Sequence, residues 1–132
     1  MDGDRFEKGL KIRKEVLGAE YVTRSLEQAD DFAKPMQELS TAWCWGEVWA
    51  RPGLARRDRS LLNLAMISAL NRPQELRLHV KAALRNGLTR EEIREAMLQV
   101  AVYCGVPAGM DSTRIARDAI AEYDAELAKE GR

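Results

Sequence analysis

Apolar positions recur along this chain at helical spacing, and nowhere do they alternate as a half-buried strand would. Residues 4–18 place Phe6, Leu10 and Leu17 on a first helix that Gly18 stops, and residues 20–31 form a shorter, weaker pattern around Val22 and Leu26. Pro35 suits the first turn of a helix running to about Trp49, which Arg51-Pro52-Gly53 ends. Segment 56–70 carries Leu61, Leu62, Leu64, Ala65, Met66, Ile67, Ala69 and Leu70 with almost no polar face, a pattern that predicts burial on all sides with neighbouring subunits helping to cover it. Asn71 and Pro73 break the chain and start a further helix, which Asn86-Gly87 caps.

Thr89-Arg90-Glu91-Glu92 is a capping box, with a hydroxyl at the cap and a carboxylate three residues later. The helix it opens carries Ile93, Ala96, Met97, Val100 and Ala101, and Gly105-Val106-Pro107 interrupts it. A last helix from about Ala108 to Ala128 has Ile115, Ala116, Ala119, Ile120 and Tyr123 as its stripe. The expected fold is an all-α, single-domain helical bundle spanning residues 1–132, a length that buries a real core but is short for two domains.

Composition narrows the function. Lys and Arg together number 21 and so do Asp and Glu, so the net charge is zero and a nucleic-acid binder, which relies on excess basic charge, is disfavoured. The N-terminus shows no apolar leader, and the most apolar run, Leu61 to Leu70, is far short of a membrane span; the expected location is the cytoplasm. Cys44 and Cys104 form no C-x-x-C pair and are expected to be reduced, buried thiols. One histidine and no acidic cluster supply no ordinary metal shell, so no metal is expected.

That histidine, His79, is the first candidate for chemistry, because only His titrates unperturbed near neutral pH. Arg72, Glu75 and His79 stand at i, i+3 and i+7, a spacing that predicts one shared face, either a proton-transfer site or a solvated surface. Trp43, Trp45 and Trp49 crowd into seven residues, as core or interface anchors do. Glu47 lies among them; in an aromatic setting its charged form would be disfavoured, as in many general acids, whereas an outward Glu47 would pair with Arg51 at i+4.

Taken together, Cys44-Trp45-Gly46-Glu47-Val48-Trp49, Arg51-Pro52-Gly53-Leu54, Arg59-Ser60-Leu61-Leu62-Asn63-Leu64-Ala65-Met66, Glu75-Leu76-Arg77-Leu78-His79-Val80, Asn86-Gly87 and Tyr103-Cys104-Gly105-Val106-Pro107-Ala108 resemble, in their order, the 4-carboxymuconolactone decarboxylases, over roughly residues 5–125. That family is similar in turn to the alkylhydroperoxidase D-like proteins, which place a C-x-x-C pair before a helical histidine. Here Arg72 and Glu75 occupy those two positions, so the thiol redox chemistry of that branch is excluded.

The resemblance implies an all-α subunit in a ring-like homo-oligomer, often a hexamer. It implies conversion of γ-carboxymuconolactone to β-ketoadipate enol-lactone and carbon dioxide, without a cofactor, in protocatechuate catabolism. Under that resemblance His79 is the acid or the oxyanion donor, and Glu47 orients it or shuttles its proton. Arg72 or Arg51 anchors a substrate carboxylate and Trp45 supplies a dry wall. The chain departs from the pattern at Ala42, Gln74 and Thr113, where an acidic residue, a histidine and an aromatic are common. Those changes leave open another lactone or keto-acid as substrate, or an oligomeric binding protein without chemistry.

Overall fold

A computed structural model describes residues 2–131. Among them every regular element is helical: α1 (Asp2–Leu17), α2 (Ala19–Gln28), α3 (Lys34–Leu39), a π-helix (Ser40–Val48), α4 (Arg56–Ala69), α5 (Pro73–Arg85), α6 (Arg90–Cys104) and α7 (Val106–Lys129). The chain divides into two compact units, with the boundary after Arg56.

In the first unit α1 lies against the π-helix, and two glycines set how close they come. A Cβ on Gly9 would fall 2.0 Å from the Thr41 carbonyl oxygen and 2.7 Å from the Gly46 nitrogen, and one on Gly46 would fall 2.2 Å from the Arg5 carbonyl oxygen. Only glycine permits backbone to meet backbone in this way. Arg13 of α1 donates to Thr41 Oγ1 at 2.9 Å, and that hydroxyl donates to the Gln37 carbonyl at 2.7 Å. Burial pulls the Arg13 pKa down, an effect that Tyr21 and Cys44 partly offset.

The expected single helix from Pro35 to Trp49 is therefore two elements. Its ladder widens at Ser40, and Trp49 N–H reaches back five residues to the Cys44 carbonyl at 3.0 Å. Thr41 and Gly46, also five apart, are the small residues that the wider turn presents to Gly9.

In the second unit Leu64, Leu76, Val80, Ala83, Leu88, Ile93, Met97, Ala116 and Ala119 form one core. Charge pairs brace it from outside: Arg77 pairs with Glu122, and Lys81 bridges Glu122 at 2.5 Å and Glu126 at 3.0 Å, joining α5 to α7. The capping box is formed as the sequence predicts, with Glu92 N–H donating to Thr89 Oγ1 at 3.0 Å and Thr89 N–H to Glu92 Oε1 at 2.9 Å. Arg57 of α4 grips the same carboxylate at 2.6 Å, and that contact holds the Glu92 pKa below the usual range.

Two helix ends share one chemistry. Leu88 N–H bonds the Ala83 carbonyl and Gly87 N–H the Leu84 carbonyl, a Schellman cap with Gly87 at φ 99°. The end of α4 repeats it, with Arg72 N–H to Ile67, Asn71 N–H to Ser68, and Asn71 at φ 57°, which asparagine tolerates better than most side chains. That turn reverses the chain and sets Arg72 at the N-cap of α5.

Within a single chain α4 is covered on one side: Leu64 is fully buried, with Ser60 and Ser68 buried beside it, but Leu61, Leu62, Met66 and, just past the helix, Leu70 are 39 to 66% exposed, the part of the expected burial that was assigned to neighbouring subunits. The apolar pattern marked surface that this chain does not itself cover. The last helix begins at Val106, earlier than Ala108, because Gly105 at φ 107° already turns the chain and Pro107 fits the first turn. Cys104 is exposed and so is not a buried thiol; Cys44 is partly buried, and burial raises its pKa against the opposing pull of Arg13.

Candidate active site

α5 presents the principal candidate residue. Leu76, Val80 and Ala83 commit one stripe of the helix to the core, and Arg77 and Lys81 commit another to α7, which leaves His79 on the flank towards α4. There Asn63 Nδ2 lies 3.4 Å from His79 Nδ1. His79 is mostly buried, and removal from water lowers its pKa to about 4, so the ring is neutral at pH 7.

The charged face expected around it is not present in that form. Arg72 sits at the N-cap with non-helical backbone angles (φ −114°, ψ 81°), outside the helical register that would align it strictly with His79. Glu75 is exposed in the first turn of α5. The amide of Asn63, a residue of α4, comes within hydrogen-bonding distance of Nδ1. Sequence reasoning passed over Asn63. The signal was present: it is an amide in the middle of an apolar run, where a polar side chain needs a partner.

Arg72 borders a cavity of about 270 Å³ at the start of α5, lined also by Asn71, Leu76, Pro107, Asp111 and Ser112. Guanidinium and helix N-terminus together favour an anion there. From Arg72 to His79 the helix rises about 10 Å, and the His79 side chain tilts back towards the N-terminus, as all helical side chains do.

Trp45, Glu47 and Arg51 belong to the first unit. Trp45 is 4% exposed and stacks on Trp49 with ring centroids 4.8 Å apart, so this pair forms a dry aromatic block. Trp43 is 60% exposed. Glu47 is half exposed and pairs with Arg5 of α1 at 3.1 Å rather than with Arg51, so its carboxylate faces a cation and water more than it faces the aromatics. Arg51 is exposed in the turn after the π-helix, its N–H bonded to the Val48 carbonyl at 3.1 Å. Among the described residues no three His, Cys, Asp or Glu side chains converge as a metal site would require.

α5 thus carries a mostly buried histidine and, at its N-terminal end, an arginine that lines a cavity, groups suited to acid–base work and to holding a small anion. Residues 34–118 match the Carboxymuconolactone decarboxylase family, and the chain belongs to that family. It is similar to the nitrosuccinic acid decarboxylase of Metarhizium robertsii, 49% identical over 115 residues that cover 87% of this chain and 80% of the relative. It is similar also to the 4-carboxymuconolactone decarboxylase of Acinetobacter baylyi, 43% identical over 117 residues, or 89% of this chain and 87% of the relative. The protein is a carboxy-lyase. No helix among the described residues is long and apolar enough to cross a membrane.

Proposed function

We propose that the protein decarboxylates γ-carboxymuconolactone to β-ketoadipate enol-lactone without a cofactor, as a cytoplasmic homo-oligomer, a hexamer by its resemblance, in aromatic catabolism. The observation that carries the reading is the match to a 4-carboxymuconolactone decarboxylase along 89% of the chain.

The chemistry asks little of the protein beyond binding and proton placement. The bond from the γ-carbon to its carboxylate breaks, and the electron pair moves through the ring double bond onto the lactone carbonyl oxygen. A proton then adds to the ring carbon next to that carbonyl. The substrate is thus its own electron sink. A neutral His79 supports the role of hydrogen-bond donor to the developing oxyanion over that of an imidazolium acid, since at pH 7 only about one ring in a thousand would carry the extra proton. One such donor is worth about 3–4 kcal/mol of barrier. Arg72, at the mouth of its cavity, would hold a carboxylate that does not leave.

Nitrosuccinic acid is the second reading, favoured by the 49% identity to the enzyme named for it. It is neither a lactone nor a keto-acid, yet the two compounds share a feature. In each, the carbon that loses carbon dioxide also bears a CH₂–COO⁻ arm and an electron-withdrawing group. In nitrosuccinic acid the electron pair passes into the nitro group, giving a nitronate that is protonated on carbon. One site with an anion anchor and one donor serves either acid.

The test is carbon dioxide release from each acid by purified protein without added cofactor, for wild type and His79→Gln. Turnover of the lactone that vanishes in a folded His79→Gln variant supports the first reading. Turnover of nitrosuccinic acid alone moves the assignment to the second, and an intact His79→Gln rate removes the histidine from the mechanism. Glu47→Gln and Arg51→Met belong in the same assay; unchanged rates in both would confine the chemistry to Arg72 and His79.

A further inference from the structure

We propose that Asn63 is a positioning residue: its side-chain amide donates to Nδ1 of His79 and so keeps the proton of the neutral ring on Nε2. The proposal rests on the decarboxylase reading for its catalytic consequence, but not for its geometry.

α4 and α5 meet along a seam with polar contacts at two levels. Asn86 Nδ2 donates to Ser60 Oγ at 2.9 Å, and Asn63 Nδ2 approaches His79 Nδ1 at 3.4 Å. Ser60 and Asn63 are three residues apart on α4, and His79 and Asn86 seven apart on the α5 side, so each pair lies along one flank. The order runs oppositely on the two helices, as the tight turn at Asn71 requires. Ser60 and Asn63 flank Leu61 and Leu62 on α4, and each meets a polar side chain from α5 or its C-cap.

With its NH₂ turned to the ring, the amide can only donate, and in the proposed arrangement Nδ1 accepts and carries no proton. The ring's single proton is then on Nε2. At 3.4 Å the bond is long and adds little to stability, but it selects between two tautomers. That choice decides function, because only an N–H can meet an oxygen on which negative charge develops. With the proton on Nδ1 instead, Nε2 would present a lone pair to the same oxygen. Inverting the tautomer of a catalytic histidine can cost about 10⁴-fold in rate.

The chain has one histidine, so nitrogen-15 labelling of histidine gives the spectrum of a single ring. In the wild type at pH 7 the expected spectrum has Nε2 protonated and Nδ1 bare. Asn63→Asp puts a carboxylate, which can only accept, against Nδ1. It is expected to invert the tautomer and to lower kcat by at least about 10²-fold with KM little changed. If Asn63→Asp does not fold, Asn63→Leu gives the same test, with a mixed tautomer and an intermediate kcat expected. A wild-type ring protonated on Nδ1, an Asp variant that keeps the wild-type tautomer, or an inverted tautomer with unchanged kcat would each overturn the proposal. The spectrum needs no substrate. An active wild type with the wrong tautomer therefore defeats this proposal alone, whereas a wild type inactive on both acids defeats the decarboxylase reading and with it any catalytic purpose for Asn63.

Discussion

His79 couples stability to pH in a window of its own. An unfolded chain protonates this residue near pH 6.5, the folded one only near pH 4, so between those values the unfolded state binds more protons and stability falls as pH falls. The whole effect amounts to about 3 kcal/mol, absent above pH 6.5 and complete below pH 4. Glu92, Glu122 and Asp124, whose pKa values are lowered by hydrogen bonds from Arg57, Arg77 and Arg90, act in a lower window, losing their contribution as pH drops below the ordinary carboxylate range. Denaturant titrations from pH 7 to pH 4 should therefore show a slope that His79→Gln removes, with the slope below pH 4 retained. If the histidine works as a neutral donor, kcat/KM should also stay level from pH 7 down to about 5, where an imidazolium acid would give a rise. Arg72 makes a separate prediction: Arg72→Met should raise KM by about 10- to 100-fold, the worth of one charged hydrogen-bonded contact, and Arg72→Lys should recover only part of it.

At the scale of elements, the sequence was legible where structure is decided locally. Thr89 and Glu92 form their capping box, and Gly87 closes α5, because caps depend on residues within a few positions of each other. The π-helix was not legible, since its wider ladder is fixed by α1 pressing Gly9 against Thr41 and Gly46, a contact between residues more than thirty apart. For the same reason Arg5 became the partner of Glu47, although Arg51 stood at the helical distance. His79 and Arg72 were legible as candidates, from residue type and helical spacing, but the burial of the ring and its contact with Asn63 were not, because both come from tertiary packing. Gly9→Ala tests the close crossing: its methyl would meet backbone, not a movable side chain, and a loss of about 3 kcal/mol is expected, at the upper end for overpacking. Thr89→Ala should cost about 1 kcal/mol, the ordinary worth of a cap. Thermal unfolding of the two variants side by side would show whether that ranking holds.

At the scale of the whole molecule, α4 presents an apolar face that the chain does not itself cover. Leu61, Leu62 and Met66 on α4, and Leu70 just after it, lie at least a third exposed, and Leu98, Val102, Tyr103, Val106 and Met110 are exposed on α6 and α7. With zero net charge the chain has no long-range repulsion to hold copies of itself apart. Burying one leucine or methionine side chain is worth about 1.5–3 kcal/mol, so three or four of them meeting their equivalents supply much of what association needs. The homo-oligomer proposed above therefore has a definite weak point. Leu62→Glu places a charge on that face but outside the core, and Leu62 is already 50% exposed in the single chain, so the subunit should still fold. Sedimentation should then find the wild type as an assembly and Leu62→Glu as smaller species with undiminished helix content. A wild type that sediments as a single chain would remove the oligomer from the proposal. Turnover in the dissociated variant adds a further result: a rate that falls with the assembly means that a neighbouring subunit helps complete the site, and a rate that persists means that each chain carries the chemistry by itself.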